Sequence, residues 1–282
     1  MTTTADALPT GSLAVIGSGN VARSLIGGLV GLGVPASAIA VSGTNAVLRG
    51  ALAVDFGVRA HASNIDAARA ADIWVLAVKP QVLRGVCAEL GALARELRPL
   101  IVSVAAGIPT GFVERWLGDP DLAIVRAMPN TPALLGASAT ALCANAVTSE
   151  VQRMQVERLF EAVGTTLWID DEIQMDTVTA VSGSGPAYVF ALVEALQSAA
   201  QAQGLPAEAA RALIAQTVLG AGRMLCESGE DAATLRQRVT SPGGVTAEAL
   251  RCLREGDFDA LFARAVAAAT MRGVGLAAQA DG

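Results

Sequence analysis

The sequence is short of charge, of histidine and of paired cysteines, and each shortage removes a class of function. Charged residues occupy 16% of the 282 positions against 52% hydrophobic, and the net charge is −6. Lysine and arginine form no basic stripe, which argues against a nucleic-acid partner. His61 is the only histidine, so a Ser-His-Asp triad or a multi-histidine metal centre would have to be built around it. It reads as a solvated loop residue, and no metal site is expected. Cys87, Cys143, Cys226 and Cys252 lie far apart without C-x-x-C spacing. They read as reduced, mostly buried small hydrophobes. The longest uncharged runs, 24–48 and 127–149, are broken by Pro and Gly. Neither holds the roughly 18 consecutive apolar residues that a membrane span needs, so no membrane partner is expected. Residues 1–12 are polar, without Lys, Arg or an apolar core, unlike a secretory or transit signal. The expectation is a cytoplasmic protein. Its high apolar content then implies extensive buried helix surface and a homo-oligomer.

What is present is a strand, a glycine turn and a helix start in that order. Leu13-Ala14-Val15-Ile16 is a buried-strand run, followed by Gly17-Ser18-Gly19-Asn20-Val21-Ala22 and a helical pattern from Arg23 to Leu32. This is the dinucleotide fingerprint. Gly17 permits a tight turn, and Gly19 lets a pyrophosphate approach the backbone. Ala22 is small enough for the helix to pack on the strand, and the free N–H groups of the helix start point at the anion. The alternative is a fortuitous glycine turn.

The second strand, Ile39–Ser42, bears on the cofactor. An NAD site usually places Asp or Glu after it to hold the ribose 2′-hydroxyl. Here stand Ser42, Gly43, Thr44 and Asn45, with Arg49 one helical turn on. Hydroxyls, an amide and a guanidinium accept a 2′-phosphate that a carboxylate would repel, which favours NADP over NAD. The alternative is an ordinary turn with Arg49 solvated. Further strands are expected at 58–60, 73–78, 100–104, 122–126, 138–143 and 166–169, separated by helices such as 82–97, 110–116 and 149–163. This alternation predicts an α/β, doubly wound parallel sheet. Ligands sit at the carboxyl ends of such strands, so Lys79, Ala105, Ala106, Gly107 and residues 128–131 are candidate lining. Lys79 also reads as a plain surface lysine, and residues 129–132 as a rigid loop.

From Asp170 the strand pattern stops, which divides the chain into a Rossmann domain at 13–170 and an all-α half at 171–282. A helix opens at Pro186 and runs to Gly204 with Glu194 its only charge, so it is expected to be buried. Helices follow from Leu205-Pro206 to near Gly229, then at 232–239, 245–255 and 258–272. Their Ala and Gly content suits close packing, as in a dimer core. The loop Thr240-Ser241-Pro242-Gly243-Gly244-Val245-Thr246 again sets glycines at a helix start, where backbone N–H groups suit a carboxylate. The alternative is a helix cap with a proline turn.

Several of these motifs together resemble the pyrroline-5-carboxylate reductases of proline biosynthesis. They are 16–20, 77–80 (Ala-Val-Lys-Pro), 103–107, 126–133 (Arg-Ala-Met-Pro-Asn-Thr-Pro-Ala), 182–188 (Ser-Gly-Ser-Gly-Pro-Ala-Tyr) and 241–244 (Ser-Pro-Gly-Gly). They fall in family order across nearly the whole chain. The resemblance implies a Rossmann domain with a helical dimerisation domain, dimers that associate further into rings, and NAD(P)H reducing 1-pyrroline-5-carboxylate to L-proline. By matching position, Ile16–Val21, Ser42, Asn64, Ala77, Val78, Lys79, Pro80, Ala105 and Ala106 are implied in cofactor binding. Ser241, Gly243, Gly244, Val245 and Thr246 are implied in substrate binding with Glu172 nearby, and Thr246 is the implied catalytic residue. The chain departs from the family at Val21, commonly Met, and at Asp231-Ala232-Ala233, frequently His-Pro-Gly. Residues 235–239 replace a usual Lys-Asp pair.

Overall fold

The computed structural model describes residues 11–281; of the polar tail expected at 1–12, all but Gly11 and Ser12 lies outside the described residues. Eight short runs form one sheet: β1 (Leu13–Ile16), β2 (Ile39–Ser42), β3 (Arg59–His61), β4 (Ile73–Leu76), β5 (Leu100–Ser103), β6 (Ile124–Met128), β7 (Ser138–Ala144) and β8 (Gly164–Trp168). Their order is β3-β2-β1-β4-β5-β6-β7-β8. Every described pairing is parallel except β6 with β7. The fully parallel sheet expected from alternation is therefore corrected at this one step. Only residues 129–137 separate the two strands, too few for a parallel crossover, which needs about a dozen or more.

The helices of this region are α1 (Asn20–Gly31), α2 (Ala46–Phe56), α3 (Asn64–Ala68), α4 (Pro80–Leu97), α5 (Thr110–Leu117), α6 (Glu150–Glu161) and α7 (Met175–Val178). Side chains alternate across a strand, and the two faces have separate cores. Leu13, Val15, Val41, Val75 and Val102 pack with Leu25 and Leu29 of α1 and Phe160 of α6. Ala14, Ile16, Trp74, Leu76 and Ile101 pack with Leu83 and Leu90 of α4 and Val113 of α5. The buried Trp74 indole N–H is satisfied by the carbonyls of Ala68 (3.0 Å) and Ala71 (3.1 Å).

The remaining helices are α8 (Gly185–Ala202), α9 (Ala207–Glu227), α10 (Ala232–Arg238), α11 (Val245–Glu255) and α12 (Phe258–Asp281). The chain forms two compact units. One holds the sheet, extends to Ser184 and includes the chain from Ala267 onward; the other spans Gly185–Val266. Residues 171–184, which open the expected helical half, make their contacts with the sheet unit. Their anchor is Met175, fully buried beside Ala141 and Cys143. α12 runs on past Arg272, beyond its expected end. A Cβ on Gly273 would stand 3.4 Å from Asp176, in ordinary van der Waals contact. By length and hydropathy alone α12 also meets the criterion for a membrane span.

In the helical unit only Ala210 and Leu235 are buried, and α8 buries no residue fully. The expected burial of α8 is not met within one chain, because α8 faces too few helices of its own unit. Cys226 and Cys252 are likewise exposed, whereas Cys87 and Cys143 are buried as expected. Burial pushes the Cys87 thiol up to about 12. Burial, then the nearby Glu172, pushes Cys143 to about 11.

Candidate active site

Ile16 ends β1, and Gly17 follows with φ +122°, a conformation that favours glycine. A Cβ there would collide with the Ala77 carbonyl, standing 2.7 Å from its carbon and 3.2 Å from Val78 N. The Gly17 N–H donates to Ser42 O (2.9 Å), and the Ala77 N–H donates to Ile16 O (2.7 Å). Three strand ends therefore meet at Gly17 with no room for a side chain. Gly19 is different: a Cβ there would find nothing within 4 Å. Gly19 is also the N-cap of α1, and no side chain caps it. The N–H groups of Asn20 and Val21 thus lack an intrahelical partner beside open space, which a pyrophosphate would fit. This cradle lies where the strand order reverses, between β1 and β4, the place at which such sheets bind ligands. Ser18 packs against Gly43, with a Cβ on Gly43 falling 3.0 Å from Ser18 Cβ.

At the end of β2, Ser42 is fully buried. Its hydroxyl donates to Asn64 Oδ1 (2.8 Å), and Asn64 Nδ2 donates to Glu89 Oε2 (2.8 Å) on α4. Ser42 therefore orients Asn64 and presents no free hydroxyl. Asn45 is committed too, capping α2 by accepting from Val47 N (3.0 Å) and Leu48 N (3.1 Å). The polar groups left at this end are the exposed Thr44 and the half-buried Arg49, whose guanidinium donates to the Gly43 carbonyl. His61 is not on a loop: it ends β3, and its Nε2 is buried without a partner.

Lys79, the only lysine in the sequence, stands at the N-cap position of α4 without a side-chain cap bond, with Pro80 as the first helical residue. It is exposed and has no ion-pair partner among the described residues. Ala105 is buried and Ala106 half-buried in the loop that leaves β5. Gly107 in that loop (φ +75°) lies against α12, with its would-be Cβ 3.1 Å from Gly273 O and 3.3 Å from Leu276 Cβ. The structure thus gathers residues 16–21, Ser42, Asn64, Ala77–Pro80, Ala105 and Ala106 at the carboxyl edge of the sheet.

Two motifs turn out to brace each other. Asn130 Nδ2 donates to Ser182 O (3.1 Å) while its Oδ1 accepts from Ser138 Oγ and Ala139 N (both 3.2 Å). Met128 fills the space a Cβ on Gly183 would take. Residues 128–132 are thus tied to the π-helical turn Thr179–Gly183, from whose end α8 starts. Sequence reading also missed Arg126. It is 3% exposed, and its Nη2 lies 2.9 Å from Asp176 Oδ1. Its Nη1 lies 3.8 Å from Glu172 Oε1. Glu172 in turn accepts from Thr110 N (2.7 Å) and Thr110 Oγ1 (2.8 Å). A lone arginine inside an apolar strand is the signal that could have exposed this cluster, since a buried charge requires partners.

The other candidate residues belong to the helical unit. Gly243 (φ +69°) precedes Gly244, the N-cap of α11, which again has no side-chain cap. Val245 is 90% exposed, and Thr246 and Ser241 are exposed. Glu172, expected near this loop, is a sheet-unit residue with both oxygens taken by Thr110. Asp231, at the departure from the family, caps α10 by accepting from Thr234 N (2.9 Å) and Thr234 Oγ1 (3.1 Å). Those bonds hold its carboxyl below the usual range.

A family model described as pyrroline-5-carboxylate reductase dimerisation matches residues 172–276. One described as NADP oxidoreductase, coenzyme F420-dependent, matches residues 12–107. A pyrroline-5-carboxylate reductase from Pseudomonas aeruginosa is 48% identical over 274 residues, covering 96% of this chain and 99% of the relative. The structure of the Coxiella burnetii reductase superposes with a TM-score of 0.90 at 41% identity, covering 95% of this chain and 98% of the other. A Plasmodium falciparum pyrroline carboxylate reductase with NADP bound gives 0.85 at 28% identity, covering 96% and 99%. The strand order, the Gly19 cradle and near-full-length identity agree: this chain belongs to the pyrroline-5-carboxylate reductase family.

Proposed function

We propose that the chain reduces 1-pyrroline-5-carboxylate to L-proline, the last step of proline biosynthesis, with NADPH preferred over NADH. The observation that carries the reading is the open, uncapped helix start at Gly19, at the β1/β4 switch point of a chain of this family. Backbone N–H groups of residues 19–21 hold the pyrophosphate. Thr44 and Arg49 receive the ribose 2′-phosphate, and no carboxylate stands between Ser42 and Arg49 to repel it. Lys79, Ala105 and Ala106 line the nicotinamide end. The bound cofactor supplies the hydride that reduces the imine carbon.

The substrate is a cyclic imine with a carboxylate. Gly244, Val245 and Thr246 offer backbone N–H groups to that carboxylate, and the Thr246 hydroxyl hydrogen-bonds the ring nitrogen. A protonated imine is already electrophilic, so positioning and electrostatics suffice without a strong general acid. This suits a chain whose one histidine sits at the end of β3.

The same reading makes the enzyme a homodimer or a higher ring of dimers. Support comes from the match of residues 172–276 to a dimerisation model and from the scarcity of buried residues in the helical unit. The apolar face of α12 then packs on a second copy rather than in lipid. Four free thiols suit the reducing cytoplasm. The test is the decay of reduced-nicotinamide absorbance with 1-pyrroline-5-carboxylate, run with each cofactor. Decay with a higher kcat/KM for NADPH is expected. No decay with either overturns the activity, and equal or reversed values overturn the preference.

A further inference from the structure

We propose that Arg126 is a positioning residue for the nicotinamide end of the cofactor site, acting through Glu172 and Asp176 on the loop 105–109. The inference rests on the cofactor reading above. That loop leaves β5 beside the switch point and ends at Thr110, the first residue of α5. Glu172 grips Thr110 by both its N–H and its hydroxyl, and Arg126 Nη1 lies 3.8 Å from the same carboxylate. The loop is also held at Gly107, whose backbone abuts Gly273 and Leu276 of α12. Gly273 in turn lies against Asp176, the carboxylate that takes Arg126 Nη2 at 2.9 Å. Both ties on the loop, at Thr110 and at Gly107, therefore converge on one guanidinium.

The chemistry explains why an arginine stands there. A buried ion cluster is weak as a source of net stability, since apolar packing of similar volume does as well. A planar, always-charged guanidinium hydrogen-bonds Asp176 at 2.9 Å and holds the Glu172 carboxylate by charge at 3.8 Å. Glu172 and Asp176 come from one short segment, and without the cation between them they repel each other. Arg126 sets where Glu172 stands, and Glu172 sets where the loop ends. The far end of the cofactor site, at β2 and Arg49, shares none of these contacts.

That separation gives the test. NADPH spans the whole site, whereas 2′,5′-ADP carries only the adenosine half. Both are titrated into the full-length wild type, Arg126→Met and Thr110→Val. The NADPH Kd is expected to rise about tenfold in Arg126→Met and about threefold in Thr110→Val, with 2′,5′-ADP within about twofold of wild type in both. Unchanged NADPH affinity in both variants, or equal weakening of both probes, overturns the inference. Thr110→Val keeps the ion cluster and the Thr110 N–H, so it carries the test if Arg126→Met does not fold. A wild type that binds neither probe refutes the cofactor reading instead.

Discussion

The two units draw on similarly apolar sequence and use it in opposite ways. In the sheet unit, alternate strand residues fill two cores, and side chains such as Trp74, Phe160 and Ile26 are fully buried. In the helical unit Phe190 is 64% exposed, Leu213 60% and Leu219 57%. A sheet covered by helices on both faces closes its own core. The helical segments of Gly185–Val266, which bury only Ala210 and Leu235, do not. The difference teaches that the sheet unit fills its cores with its own side chains, while the helical unit leaves its apolar side chains exposed, the surface that the proposed dimer would cover.

Paired substitutions break or sharpen that contrast. Phe160→Ala is expected to lower unfolding free energy by about 3–5 kcal/mol, read by denaturant titration and independent of protein concentration. Phe190→Ala is expected to lower Tm in a concentration-dependent way, because in the proposed dimer the exposed Phe190 would pack on a second copy. A concentration-independent loss at Phe190 would place its packing within one chain. Within the sheet unit the two fingerprint glycines should separate. Gly17→Ala meets the Ala77 backbone at a strained φ and is expected to lower Tm by several degrees, roughly 1–3 kcal/mol of strain. Gly19→Leu enters open space and is expected to leave Tm near wild type while abolishing NADPH binding. In the helical unit, Thr246→Ala is expected to reduce kcat/KM about 10–100-fold; turnover at the wild-type rate would remove Thr246 from the site.

Thiol chemistry gives the smallest effect. Cys226 and Cys252 are exposed and should react with a thiol reagent in the native protein. Cys87 and Cys143, raised to about 12 and about 11 by burial, stay protonated as pH rises to 9 and should react only after unfolding. Native labelling of either would contradict the packed sheet unit.

Much of the sheet was legible because strands such as β1, β2, β4 and β5 are short, fully buried runs rich in apolar residues. The Gly17 turn was legible because strand, glycines and helix lie together in sequence. What sequence hid are contacts across long separations. Arg126 meets Asp176 and Glu172 some fifty residues on, and Asn130 meets Ser182 at the same remove. Local pattern also ended α12 too early, at Arg272, whereas the helix runs to Asp281. Beyond Arg272 the helix packs against Gly107 and Asp176, contacts that no periodicity reveals. The exposure of α8 escaped for the same kind of reason: an apolar helix announces that it must be covered, not by which chain.

Active-enzyme sedimentation tests the whole account most directly, because it reports the size of the species that oxidises NADPH in the presence of 1-pyrroline-5-carboxylate. The account predicts that turnover travels with a species of at least two chains. Turnover travelling with a single chain, or none at any position, would contradict it.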